Sequence, residues 1–198
     1  MAPVDAPGSA SRPSAGAGWR WALAAAVLAG VAVSGALAAY ADAHPGDGAA
    51  LYTLWFGTMV EAKAWLATGA VALLAVQLVT ALAMYGRLPG VRGAPPWVAW
   101  THRWSGVAAF GLTLPVAFAC VWSLGLEDSP TRVLVHSAAG CLFFGAFTVK
   151  MLALRVRSLP GWVLPLLGGT VLALLALAWT TSALWWFARG DAMTRETP

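Results

Sequence analysis

The sequence predicts an all-α polytopic membrane protein of five transmembrane helices, with a four-helix core of helices two to five and one amino-terminal helix added outside it. Three observations carry this reading: five long apolar runs, a charged fraction of only 10% in 198 residues, and twelve tryptophans placed near the ends of those runs. A soluble domain carries about 25% charged residues to stay in water, so this chain takes lipid as its solvent. An indole ring, apolar with one polar N–H, sits at headgroup level, which suits the tryptophan positions.

The runs cover residues 19–43, 63–85, 101–124, 133–154 and 162–187. Each reaches the ~20 residues that cross a hydrocarbon core. Residues 1–18, rich in Ala, Pro, Ser and Gly, bury too little to offset the entropy of ordering and read as a disordered cytoplasmic tail. Residues 19–188 form the single transmembrane domain, and 189–198 a short exposed tail. The first run also has a small-x-small cleavage pattern, Ala41-Asp42-Ala43, whose use would leave a four-helix chain beginning at His44. It is longer than the roughly 7–15 apolar residues of a signal segment, which favours a retained helix. Between the first two helices, residues 45–60 form a loop whose Leu51, Leu54, Trp55 and Phe56 suit the membrane surface.

Basic residues beside helix ends stay on the cytoplasmic side. With the amino terminus inside, Arg12, Arg20, Arg87, Arg92, Arg103, Lys150, Arg155 and Arg157 lie inside, against Lys63, Arg132, Arg189 and Arg195 outside. The expected location is a bacterial cytoplasmic membrane, with the carboxyl terminus outside. Leu88-Pro89-Gly90 and Leu159-Pro160-Gly161 each close a helix at the inner face, and the same offset places Gly69 on Gly140. Either helices two and three form a hairpin that helices four and five copy, or Pro-Gly recurs simply as a common turn.

Ionisable residues inside a membrane mark function by default. His136 opens helix four at the outer face and His102 opens helix three at the inner face, about 33 Å away along helix three, so these two share no ligand. His44, just beyond helix one, is the histidine that can join His136 as a candidate axial pair for b-type haem. Gly140, one turn deeper than His136, leaves room for a flat macrocycle. The competing reading treats Ser137, Cys141 and Gly145 as a small-residue stripe for close helix packing. Counting from the middle of the outer loop puts Ala119 and Cys120 level with His136. The same count leaves Cys120 and Cys141 ~7 Å apart in depth, too far for an unstrained disulfide. Gln77 and Thr80 read as helix-to-helix hydrogen-bond formers, Lys150 as a snorkelling cation, Met84 and Met151 as filler, and Pro115 as a kink or a freed carbonyl.

Several classes are excluded. No zinc spacing, Ser-His-Asp set, HExxH or phosphate-binding glycine loop occurs. Glu127 and Asp128 sit together in a loop and suit solvation. The net charge of +4 is spread between apolar runs, not gathered into a nucleic-acid patch.

The segments Lys63-Ala64-Trp65-Leu66-Ala67-Thr68, Met84-Tyr85-Gly86-Arg87-Leu88-Pro89, His102-Arg103-Trp104-Ser105-Gly106, Leu114-Pro115-Val116-Ala117, His136-Ser137, Gly140-Cys141, Gly145-Ala146-Phe147 and Leu159-Pro160-Gly161-Trp162 together resemble an uncharacterised family of bacterial integral membrane proteins, over residues 44–187. A weaker likeness runs to transmembrane b-type cytochromes and ferric-reductase-like proteins. The family resemblance implies a Tyr-His pair where this chain has Phe118-Ala119, so half of a two-histidine site is missing here. The expected function is a non-catalytic membrane subunit or scaffold, with no haem, whose partners are the bilayer and another membrane or redox protein. The alternative is an electron-transfer protein holding b-type haem on His136 and His44 near the outer face.

Overall fold

A computed structural model describes residues 18–90, 93–127, 129–157 and 159–193, without the side chains of 190–193. Most of the expected amino-terminal tail, Arg92, Asp128 and residues 194–198 lie outside them. Five helices among the described residues are long and apolar enough to cross a membrane, Gly18–Ala43, Met59–Met84, Pro96–Leu124, Thr131–Ala153 and Val163–Arg189, and no strand accompanies them. The chain is an all-α, multi-pass membrane protein.

Helix α1 is Gly18–Ala43 and α2 is Met59–Met84. α2 starts four residues before its apolar run because Thr58 caps it. The Thr58 hydroxyl accepts from Glu61 N–H at 3.1 Å, satisfying a donor that a helix start leaves open, and the Glu61 carboxylate accepts from Gly57 N–H at 3.0 Å, fixing the residue before the cap. α3, Pro96–Ala119, begins on a proline, whose missing N–H costs nothing at that position. It runs through Pro115 unbroken and continues as a π-helical segment, Cys120–Leu124. α4 is Thr131–Ala153 and α5 is Val163–Trp179. α5 passes into a second π-helical segment, Thr180–Leu184, and then into α6, Trp185–Met193. The carboxyl-terminal tail expected from residue 189 is therefore helical to Met193.

In space α3 packs on α2, α2 on α5, α5 on α4, and α4 on α1. Helices two to five thus form the core, and α1 is added outside on α4. The α1–α4 contact is backbone against backbone. A Cβ added at Gly30 would stand 2.7 Å from the Gly145 carbonyl oxygen, and one at Gly145 2.5 Å from that of Gly30. Ser34 Oγ donates to the Cys141 carbonyl at 3.1 Å beside this crossing. The small-residue stripe on α4 divides accordingly: Gly145 meets α1, whereas Ser137 and Cys141 face a cavity.

α3 and α4 differ from the tight neighbours their short connection suggests, because their backbones do not pack. Side chains bridge them instead. The Phe110 ring stacks on Phe147 at 4.0 Å and meets the edge of Phe144 at 5.8 Å. These rings pack against Ala70, Phe143, Val171 and Leu175, the buried centre of the bundle. Two cavities flank that centre. One lies toward the end with the α1–α2 and α3–α4 connections, the loop end; the other lies toward the end with the α2–α3 and α4–α5 connections, the turn end. The expected repeat is partly visible, since α2–α3 and α4–α5 are both close hairpins. Its two glycines differ in surroundings: a Cβ on Gly69 would meet Leu112, and one on Gly140 would meet nothing within 4 Å.

Candidate functional site

The loop-end cavity has a volume of about 440 Å³ and a mostly apolar wall drawn from all five membrane-crossing helices. Its polar corner is His136. On α4, Arg132 and His136 are one turn apart and face the π-helical segment that follows α5. Arg132 donates to the Thr181 carbonyl, and its guanidinium lies 3.8 Å from the centre of the Trp185 ring. His136 Nδ1 lies 2.9 Å from the Ala178 carbonyl oxygen. A carbonyl only accepts, so in the neutral imidazole Nδ1 carries the proton and Nε2 presents a lone pair. A π-helical segment displaces the regular carbonyl partners of the preceding turn, and here the Thr181 and Ser182 hydroxyls also donate to Ala178 O.

Cys120 Sγ stands 3.9 Å from His136 Nε2. Lys63, near the start of α2, acts electrostatically on the same sulfur. The depth count was right for Cys120, which opens the π-helical segment after α3 and lines the cavity. Ala119 is 0% exposed and is not part of the wall. A histidine at 119 would therefore meet packed protein and not the cavity.

The loop after α1 is tied to α3 and its π-helical continuation at this end. Tyr52 Oη donates to the Pro115 carbonyl at 2.7 Å, Ser123 Oγ to the Ala49 carbonyl at 2.6 Å, and Gly48 N–H to the Ser123 carbonyl at 2.9 Å. A Cβ on Gly46 would run into the Ser123 carbonyl, so only glycine permits this approach. Burial, and then the neighbouring Cys120 sulfur, push the Tyr52 phenol up to about 12. Tyr52, Lys63, Arg132 and Ser123 were not singled out as site residues from sequence. Their partners are far along the chain, and only the Thr58–Glu61 cap beside Lys63 left a local signal.

His44 is exposed. Its ring stacks on Tyr40 at 4.2 Å and its Nδ1 lies 2.9 Å from the Tyr40 carbonyl oxygen. It is not part of the cavity wall, so His136 and His44 are not brought together there. The residues present do not fit a bis-histidine haem. One imidazole faces the cavity, Cys120 occupies the approach to its free nitrogen, and no second imidazole lines the wall. Among the described residues, no group of three or more His, Cys, Asp or Glu is placed to hold a metal ion.

His102 belongs to a separate network at the turn end. Thr80 Oγ1 donates to the Val76 carbonyl at 2.6 Å and receives His102 Nδ1–H at 2.9 Å. Gln77 Nε2 donates to the His102 carbonyl and, at 2.7 Å, to Ser105 Oγ. Gln77 and Thr80 thus tie α2 to α3 by hydrogen bonds.

No curated protein and no solved structure matches the chain. The sequence pattern of a family of unknown function (DUF6529) matches residues 23–194, which takes in most of the first membrane-crossing helix, the other four whole and every segment on which the family resemblance rests. Spanning most of the chain, that match shows that the protein belongs to this family.

Proposed function

We propose that the protein is a non-catalytic membrane subunit that receives a membrane-soluble, largely apolar molecule in the loop-end cavity, where His136 and Cys120 read its one polar group. The carrying observation is the cavity itself. Its 440 Å³ falls within the ~300–1,000 Å³ of small-molecule sites, which are apolar with few polar groups at one place. Filling it is the test. Gly140 lines the wall and a Cβ there meets nothing, so Gly140→Leu fills the space without moving backbone. Organic extraction of the purified protein is expected to yield one stoichiometric apolar compound, absent from Gly140→Leu. Extracts showing only bulk lipid, or identical extracts from the two proteins, would overturn the reading.

In this proposal the protein carries no haem, which is supported by the single imidazole at the cavity. The purified protein is then colourless. A Soret band lost in His136→Ala would replace this reading with electron transfer. We also place the turn end in the cytoplasm, supported by Arg20, Arg87, Arg103, Lys150, Arg155 and Arg157 there against Lys63, Arg132 and Arg189 at the loop end. A carboxyl-terminal reporter active only in the cytoplasm should be silent; strong signal would reverse the assignment.

A further inference from the structure

The turn-end cavity is larger, about 710 Å³, and lies between the two hairpins. Toward the loop end α2 packs on the π-helical segment after α5, through Ala64, Ala67 and Ala183, and at the bundle centre it packs on α5 through Ala70, Val171 and Leu175. Beyond that point the cavity separates them. Its deeper wall is apolar, with Leu74, Leu78 and Leu172, and at its mouth stand Arg87, Lys150, Tyr85 and Trp162. Gly168 and Gly169 lie on the α5 side, where an added Cβ would meet nothing within 4 Å.

Charge distinguishes this cavity from a plain gap between helices. No carboxylate lines it. The acids on described helices and loops, Asp42, Asp47, Glu61, Glu127 and Asp191, all belong to the loop end. Among the described residues, the side chains of Lys150 and Arg87 make no ion pair or hydrogen bond, although Lys150 is half-buried on the inner side of α4. A cation held at the edge of the hydrocarbon region draws in a counter-charge, and the described residues supply none.

We propose that this cavity is a binding site for one anionic phospholipid of the surrounding bilayer, with its phosphate at Lys150 and Arg87 and an acyl chain along the leucine wall toward Phe110. The gap between α2 and α5 provides side entry. The tail requirement separates such a lipid from a free phosphate, and the cation pair separates it from a zwitterionic lipid. This site is independent of the loop-end proposal and stands or falls without it.

The test uses the full chain in nanodiscs of phosphatidylcholine, with or without phosphatidylglycerol, read by native mass spectrometry and thermal unfolding. One phosphatidylglycerol is expected to remain bound after release from the nanodisc and to raise the unfolding temperature above that in phosphatidylcholine alone. Lys150→Gln should lower the retained fraction about fivefold, the effect of one cation at an anionic headgroup, with Lys150→Arg restoring it. Gly169→Phe should block retention with both charges intact. Arg103→Gln, at the same end but outside the cavity wall, should change nothing. Equal retention of the two lipids, unchanged retention in both Lys150→Gln and Gly169→Phe, or displacement of the lipid by inorganic phosphate would overturn the proposal.

Discussion

Helix α4 meets its neighbours in two opposite ways. Against α1 it offers Gly145 to Gly30, and the two backbones touch. Toward α3 it offers Phe144 and Phe147, and the backbones stay apart with a cavity on either side of the ring cluster. In lipid no hydrophobic force draws helices together, so side-chain shape sets their spacing. Glycine gives contact; phenylalanine gives a strut, and a strut leaves space beside it. The cavities are therefore a consequence of where α4 places small and large residues.

The largest expected effect comes from giving the close face a side chain. Gly145→Leu puts atoms where the Gly30 backbone lies, and backbone does not yield as a flexible side chain does. Loss of about 3 kcal/mol of stability and release of α1 from α4 are expected, read by thermal unfolding. Gly111→Leu, at an exposed position with nothing within 4 Å, should stay within about 0.5 kcal/mol of the parent. Equal behaviour of the two variants would mean that contact on the α1 face is not what holds α1.

A smaller effect is expected from removing the strut. Phe110→Ala deletes the ring that stacks on Phe147, at a cost of about 2 kcal/mol, because lipid and neighbouring side chains take up part of the space. α3 should then move toward α4, shortening the distance between spin labels at Val107 and Leu142, both exposed. An unchanged distance would show that the spacing is set elsewhere, for instance by the loop-end hydrogen bonds.

The two faces were unequally legible in the sequence. Span number and helix ends follow from hydropathy and tryptophan placement, which are local properties. The true start of α2 was hidden because Glu61 and Lys63 interrupt its apolar run, although Thr58 and Glu61 are a readable cap. The level of Cys120 with His136 came from helical rise alone. Which of residues 119 and 120 turns toward His136 did not, since neighbouring side chains point about 100° apart and a π-helical segment begins at Cys120. The cavities left no local signature: they depend on Phe110 meeting residues on another hairpin. For the same reason His136 was legible as a suspect but its partner, the Ala178 carbonyl, was not.

The smallest expected effect tests how the loop after α1 is held against α3. Tyr52 hydrogen-bonds the carbonyl of Pro115, a residue of the helix that borders the cavity. Tyr52→Phe removes that bond and should cost about 1 kcal/mol, as membrane hydrogen bonds do. Its pH dependence is the sharper observable. Burial raises the folded-state phenol from the ordinary 10.0 to about 12, so between those values the unfolded chain has lost its proton while the folded chain still holds it. Stability contributed by Tyr52 is complete below the lower value and falls as pH rises through the window. Titration of phenolate absorbance in the parent should show a last transition near 12, absent from Tyr52→Phe, and the variant should lose less stability than the parent across the same pH range. If the transition near 12 persists in the variant, Tyr52 is not the phenol that titrates there, and its surroundings at Pro115 do not raise it.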